Sequence, residues 1–152
     1  MSSKREYVPT DREVADAIDE ALGLFGKNGE NWIRNAYERD DRFCAVGAIN
    51  RVTGVMAYKP ADRGRVWAIR NKALEVLADV PAVTTMAGTN KHPGEPGHDE
   101  SVIVYWNDTK VRSFQPVRNA FVQARAKLRR RATYAEKRAQ AEAAKQRLAG
   151  LR

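Results

Sequence analysis

The sequence predicts a mainly α fold: a small helical domain with at most a short β element, plus a long basic C-terminal helix. Three observations indicate this class. Apolar residues recur at helical spacing, cap and stop residues bracket those segments, and the last 40 residues are rich in strong helix formers. We divide the 152 residues into a polar leader at 1–9, a helical globular domain at 10–128 and a basic helical arm at 129–152.

The first two helices are predicted from their ends. Thr10 and Glu13 have the spacing of a capping box, and apolar residues follow at intervals of three and four. A short buried helix is predicted after Phe43, and Gly54 ends it. Gly47 lies inside this helix, where glycine costs about 1 kcal/mol relative to alanine, so we expect it to permit close packing.

The middle of the chain gives less regular patterns. Residues 31–42 fit either a short helix or an extended connector, and Pro60 suits the first turn of a helix that Pro81 stops. Residues 82–101 contain several prolines and glycines and are predicted to form a long irregular loop. Residues 102–106 are β-branched and aromatic, which favours a short strand, although a buried helical turn fits the same run.

The last helix is predicted to open at residues 113–116 and to continue to about Leu148, which gives it a length of roughly 50 Å. Its first third has an apolar face, and the rest has little apolar surface to bury. The face is a helix-packing seam formed by Val117, Phe121, Ala124 and Leu128.

The whole net charge of +8 lies at the C-terminus. Residues 1–124 contain 17 basic and 17 acidic side chains, whereas residues 125–152 contain ten basic and two acidic ones. A polyanion would relieve the repulsion between these cations and release counterions, so we expect a nucleic acid or nucleoprotein partner. The alternative is a solvated helix whose charge serves solubility. The predicted contact residues are Arg125, Lys127, Arg129, Arg130, Arg131, Lys137 and Arg138.

Cys44 is the single cysteine, which excludes an intramolecular disulfide and a cysteine-based zinc site. It lies near the start of a predicted helix, where the helix dipole lowers the pKa of a thiol. A catalytic arrangement of Cys44 with His98 and Asp108 is therefore one hypothesis. The favoured interpretation is a small buried thiol in the core, which is the usual role of a free cysteine.

Metal and cofactor motifs are missing from the sequence. His92 and His98, with Asp99 and Glu100, are metal-ligand types, but their spacing matches no metal site and favours a solvated loop. There is no Walker sequence, no dinucleotide glycine fingerprint and no HExxH. We therefore predict no cofactor and no metal, assign no catalytic residue, and favour a non-enzymatic role.

Residues 105–108, Tyr-Trp-Asn-Asp, fit two roles. They are either the edge of a pocket or, as we favour, a core anchor followed by a turn in which Asn and Asp side chains bond to amides. A pocket here would draw on Trp32, Cys44, Trp106, Asn107 and Asp108.

Three motifs resemble a family of small bacterial and phage proteins, domain-of-unknown-function family 6197. They are Asn31-Trp32, the Cys-x-x-Gly-Ala stretch from Cys44, and Trp106-Asn107-Asp108 followed by a helix. The resemblance covers about residues 12–128 and leaves the arm outside. It implies no chemistry, but it implies a phage-associated protein and one folded unit that includes Trp32, Cys44, Gly47, Trp106, Asn107 and Asp108.

The leading functional hypothesis is a non-enzymatic accessory protein that binds nucleic acid, or an assembly such as a ribosome or polymerase, through its basic helix. The alternative is a virion component or homo-oligomer that packs through the seam of its last helix. The third is a small ligand-binding protein or cysteine-dependent enzyme. The chain has neither a membrane-length apolar run nor a signal peptide, so we expect no membrane partner and a cytoplasmic location, in the host bacterium if phage-encoded.

Overall fold

The computed structural model describes residues 6–95 and 97–151. Within these ranges the chain forms six α-helices and one two-stranded antiparallel hairpin, which confirms the mainly α class. The elements are α1 (Asp11–Leu24), β1 (Glu38–Arg39), β2 (Arg42–Phe43), α2 (Ala45–Thr53), α3 (Arg63–Ala78), α4 (Pro81–Ala87), α5 (His98–Tyr105) and α6 (Phe114–Gly150). A 3₁₀ turn at Pro60–Asp62 leads into α3, and a π-helical turn at Trp106–Lys110 follows α5.

The start of α1 is the predicted capping box. Thr10 Oγ1 accepts a hydrogen bond from the amide of Glu13 at 3.1 Å, and a carboxylate oxygen of Glu13 accepts one from the amide of Thr10 at 3.0 Å. The hydroxyl of Tyr7, in the predicted leader, donates to the same carboxylate at 2.7 Å. The hydrogen bond from Tyr7, as the largest cause, and the one from the amide of Thr10 lower the pKa of Glu13. Residues 1–5 of the leader lie outside the described residues.

Helix α2 has the predicted end and the predicted close contact. Gly54 follows its last residue with φ of 80°, the left-handed conformation that glycine adopts without strain. A methyl group at Gly47 would lie 2.5 Å from the carbonyl carbon of Tyr37, inside van der Waals contact. The missing side chain therefore lets the segment before β1 lie directly on α2.

The structure decides between the two alternatives for residues 102–106 and overturns the prediction for residues 82–101. Residues 102–106 form no strand: they belong to α5 and the following turn, where Ile103 is fully buried between half-buried valines. Residues 82–101 are not irregular throughout, because Pro81 is the first residue of α4 and α5 begins at His98. Proline stops a preceding helix, yet it equally suits the first position of a new one, where no amide donor is needed.

The irregular segment between α4 and α5 is tied down by a buried carboxylate. Asp99 accepts hydrogen bonds from the side-chain amide of Asn90 at 2.6 Å and from the backbone amide of Gly94 at 3.1 Å. Burial nevertheless raises the pKa of Asp99.

Residues 31–42 form the extended connector, which was one of the two predicted alternatives, since they contain β1 and no helix.

The core lies between α6 and the other helices. Helix α6 packs along α1 and also contacts α3 and α4, while α2, α3 and α5 pack against one another. Phe25, directly after α1, packs on α6: its ring centroid lies 5.4 Å from that of Phe114 and 5.3 Å from that of Phe121. All four seam residues of α6 are fully buried in this core: Val117, Phe121, Ala124 and Leu128.

Packing of α6 continues beyond the boundary predicted at Leu128. Ala132 is only 6% exposed, and Glu136 forms a two-pronged ion pair with Arg12 of α1, with one N–O distance of 2.9 Å. In the described residues from 137 onward, no hydrogen bond or ion pair joins α6 to the domain. The same uninterrupted helix therefore serves first as a core element and then as a projection.

None of the helices in the described ranges has the length and apolar character that a membrane crossing requires.

Candidate functional site

Three of the predicted contact residues pair with the domain. Arg125 forms an ion pair with Asp19 of α1, and a guanidinium nitrogen of Arg129 lies 3.9 Å from the second oxygen of the same carboxylate. Lys127 donates to Asp79, just after α3, at 2.9 Å. Exposed pairs of this kind contribute about 0–1 kcal/mol each. These cations therefore help to orient α6, and the domain already neutralises part of their charge.

The remaining basic side chains of the arm have no carboxylate partner within the described residues, and all are exposed. Glu136, one of only two acids in this segment, is already bound by Arg12. The guanidinium carbon of Arg138 lies 5.8 Å from the ring centroid of Tyr134, which is 65% exposed. The unneutralised residues are Arg130, Arg131, Lys137, Arg138, Lys145 and Arg147; Arg152 lies outside the described residues.

Beyond Glu136 the arm projects from the domain. Helical geometry gives residues 137–150 a length of about 20 Å. Their side chains are exposed, apart from the half-exposed Ala144. This projecting helix presents cations on a rod about 10–12 Å wide.

Asn107 is a structural anchor. Its side chain is fully buried, and its carbonyl oxygen accepts from the indole nitrogen of Trp32 at 2.9 Å and from the amide of Ala45 at 3.1 Å. Its amide nitrogen donates to the carbonyl of Ile33 at 3.2 Å and to the carboxylate of Asp108 at 2.9 Å. Both donors and both acceptor positions of the amide are occupied, so nothing is left for a ligand.

The other residues of the predicted pocket join the same unit. Asp108 also accepts from the amide of Asn35 at 2.9 Å, and Trp106 is fully buried beside Asn107. Asn35 has φ of 65°, an uncommon conformation for a residue other than glycine, which the hydrogen bond to Asp108 stabilises. The residues that the family resemblance grouped therefore do lie together, as a core anchor with its following turn.

Cys44 is buried and caps α2. It is 2% exposed, and its sulfur accepts from the amide of Gly47 at 3.3 Å. Burial raises the pKa of the thiol to about 11, although backbone hydrogen bonds act in the opposite direction. The expectation that the helix start lowers this pKa is wrong, because desolvation outweighs the helix terminus. No described hydrogen bond links Cys44 to His98, whose ring lies against that of His92 with centroids 5.0 Å apart.

We expect the Cys44 thiol to react with iodoacetamide at about pH 8 at least about a hundredfold more slowly in the folded protein than in urea. A thiol pKa two units higher gives about a hundredfold less thiolate, and burial adds to this. The unfolded thiol ionises near pH 9.0 and the folded thiol near 11, so unfolding releases a proton between these values. The protonated thiol contributes to the free energy of unfolding in full below pH 9.0, and this contribution is lost as the pH rises to about 11. Equal labelling rates in both states would contradict the burial of this thiol.

His92 and His98 do not form part of a larger cluster of metal-ligating side chains in the described residues. The described residues contain no group of three or more His, Cys, Asp and Glu side chains placed to hold a metal ion. Asp99 is engaged by Asn90, and Glu100 is engaged by Arg70 at 2.7 Å.

A cleft between α2, α3 and α5 is a feature that the sequence did not predict. Its volume is about 1030 Å³, and α3 contributes Trp67, Arg70 and Asn71 to its lining, with Asn50 from α2 and Glu100 from α5. One signal was present in the sequence. Arg70 is a charged residue inside the helix predicted between Pro60 and Pro81, among the apolar residues Val66, Trp67, Ile69, Ala73 and Leu74, and it is only 7% exposed.

The fold and the site define a small helical protein with a projecting basic helix. A family model described as "Family of unknown function (DUF6197)" matches residues 9–127. The chain belongs to this family, which confirms the resemblance seen in its Trp, Cys-x-x-Gly-Ala and Trp-Asn-Asp motifs. Comparison with curated proteins and with solved structures finds no significant match. The family match ends before Leu128, so the projecting helix lies outside it.

Proposed function

We propose that the protein is a non-enzymatic, phage-type accessory protein that binds nucleic acid or a nucleoprotein assembly through its projecting basic helix. The single observation that carries the proposal is the row of six exposed cations without carboxylate partners in the described part of the arm, which contains one free acid, Glu142. Because nucleic acids and their assemblies lie in the bacterial cytoplasm, the proposal implies a cytoplasmic protein.

The contact surface in this proposal lies further along the helix than the sequence suggested. Arg125 and Lys127 are partly buried and paired with the domain, so releasing them for phosphate would cost ion pairs. Lys137, Arg138, Lys145 and Arg147 carry no such cost. Phosphate contacts by these residues would position the helix without selecting a base sequence.

The alternative, an oligomer or virion component that packs through the seam, loses its contact surface. Val117, Phe121, Ala124 and Leu128 are fully buried by the protein's own helices. No apolar seam is left on this face of α6 for a second copy. An oligomer would have to use another surface, so nucleic-acid binding is the better supported proposal.

Replacing Lys137, Arg138, Lys145 and Arg147 with glutamine is expected to weaken binding to duplex DNA or RNA of about 20 base pairs at least tenfold at about 50 mM salt. Each lost phosphate contact removes roughly 0.9 from the slope of log affinity against log salt, so the slope should fall by about two to four. Fluorescence anisotropy between about 50 and 200 mM salt measures both quantities. Circular dichroism checks that α6 remains helical.

The matched control removes the same charge from the domain. Arg39, Arg42, Arg63 and Arg118 are exposed and have no ion pair in the described residues. Changing these four to glutamine is expected to leave the affinity and the salt slope close to those of the wild type. If both four-residue variants lose affinity equally, net charge rather than the projecting helix is responsible, and the proposal fails.

A further inference from the structure

The cleft between α2, α3 and α5 has the dimensions of a ligand site. Its volume of about 1030 Å³ lies at the upper end of the range for small-molecule pockets. One side is apolar, with Val55, Met56 and Ala57 in the segment that follows α2, and Met56 is 82% exposed. The other side is polar and is built around Arg70.

The charges of this cleft neutralise one another. Arg70 donates to Glu100 at 2.7 Å, and Arg51 donates to Glu38 at 2.6 Å. An anion would meet the two carboxylates, and a cation would meet the two guanidinium groups. Tyr37 also lines the cleft; burial, and then the charge of Glu100, raises the pKa of its hydroxyl, so it stays neutral. The lining therefore favours an uncharged ligand.

Two side-chain amides of the cleft have donors without a protein partner in the described part of the chain. Arg70 donates to the carbonyl oxygens of Asn50 at 3.0 Å and Asn71 at 3.1 Å, which leaves the NH₂ groups of both amides without a protein acceptor in the described residues. The indole nitrogen of Trp67 is buried and has no partner there either. Because this nitrogen is fully enclosed, Trp67 serves the cleft as a wall, and the amide groups of Asn50 and Asn71 are the donors that a ligand can reach.

The position of Trp67 is fixed by its neighbour. The guanidinium carbon of Arg70 lies 5.2 Å from the indole ring centroid, a cation–π distance. Since Arg70 also holds both asparagine carbonyls, the two amide donors are arranged around one buried side chain that is itself held by Glu100. Such mutual hydrogen bonding orients the donors before a ligand arrives.

We infer that this cleft binds an uncharged heterocycle that lies beside Trp67, presents carbonyl or ring-nitrogen acceptors to Asn50 and Asn71, and places its apolar part against the segment at Val55. This inference does not depend on the proposed role of the arm. Adenosine, uridine, nicotinamide and caffeine are probes of this chemistry. Indole has no such acceptor, uridine 5′-monophosphate adds negative charge, and benzamidine is a cation; these three are the matched negative probes.

Nuclear magnetic resonance of the full ¹⁵N-labelled chain tests the inference directly. The three tryptophans give three indole N–H signals, and Trp67→Phe identifies that of Trp67. At least one acceptor probe should shift this signal saturably at millimolar concentration, whereas the signals of Trp32 and Trp106, which do not line the cleft, should stay in place. Asn71→Ala should weaken this binding about five- to tenfold, the effect of one hydrogen bond.

Two control variants make the outcome decisive. Asn119→Ala, at an exposed position of α6, and the four-glutamine arm variant should bind the probes as the wild type does. The inference is overturned if no acceptor probe shifts the Trp67 signal at about 5 mM. It is equally overturned if Asn71→Ala binds like the wild type, or if the charged probes bind as tightly as the uncharged ones.

Discussion

Asn107→Ala is expected to lower the free energy of unfolding by about 3–5 kcal/mol, a large part of the 5–15 kcal/mol typical of a domain. The substitution leaves the indole of Trp32, the amide of Ala45 and the carbonyl of Ile33 without their partner. Each buried polar group left unsatisfied costs about 1–3 kcal/mol. Urea unfolding followed by circular dichroism measures the change, and the melting temperature should fall by about 6–20 °C.

The matched control for this prediction is Asn119→Ala. Asn119 is exposed on α6 and accepts a single hydrogen bond from Gln115, so its loss should change stability by less than about 0.5 kcal/mol. If Asn107→Ala costs no more than this control, the amide is not the anchor that its four hydrogen bonds indicate.

Asn107→Asp separates the two halves of the amide. The new side chain keeps the acceptor for Trp32 and Ala45 but replaces the donor, which faces the carboxylate of Asp108, with oxygen. Burial and Asp108 raise the pKa of the introduced carboxyl in the folded state, so the variant should be least stable at neutral pH. Relative to the wild type it should recover part of its stability as the pH falls and the carboxyl protonates.

Gly47→Ala is expected to destabilise the protein by about 3–5 kcal/mol, because overpacking and a lost backbone hydrogen bond add together. The new methyl group would overlap the carbonyl group of Tyr37. That carbonyl accepts from the amide of Cys44 at 3.1 Å, so it cannot move without breaking the junction between the hairpin and α2. Helix propensity alone would predict the opposite sign, since alanine is favoured over glycine by about 1 kcal/mol.

Gly23→Ala is the matched control, and it should act in the opposite direction. Gly23 lies in α1, and a methyl group there meets nothing within 4 Å. The substitution should therefore stabilise the protein by about 0.5–1 kcal/mol. Chemical denaturation of both variants distinguishes a steric effect from a propensity effect, and equal signs for the two would contradict the packing described at Gly47.

Local signals predicted the helices whose ends carry special residues. The Thr10–Glu13 capping box starts α1, Gly54 ends α2, and the long alanine-, arginine- and lysine-rich segment forms α6. These signals are reliable because they act within a few residues and need no distant partner. At residues 102–106 the sequence left strand and buried helix open for the converse reason. A β-branched run predicts burial, but the residues that pack around the run determine whether it forms a helix or a strand.

The candidate sites were likewise predictable only in part from the sequence. The motifs of Trp32, Cys44 and Trp106-Asn107-Asp108 grouped residues that do lie together, but the sequence left open whether they form a pocket or a core. The four hydrogen bonds of Asn107 show that these residues form part of the core and do not line a pocket. The cleft around Arg70 was not predicted, because its donors come from α2 and α3, and the acid that holds Arg70 comes from α5.

The sequence by itself determined that this is a helical protein whose entire charge surplus of +8 lies in its last 28 residues. Counting charges needs no coordinates, and neither does the propensity of that segment for helix. Only the tertiary structure decided which cations are free. Asp19 and Asp79 lie more than 40 residues before Arg125 and Lys127, and only packing of α6 on the domain brings their charges within ion-pair distance.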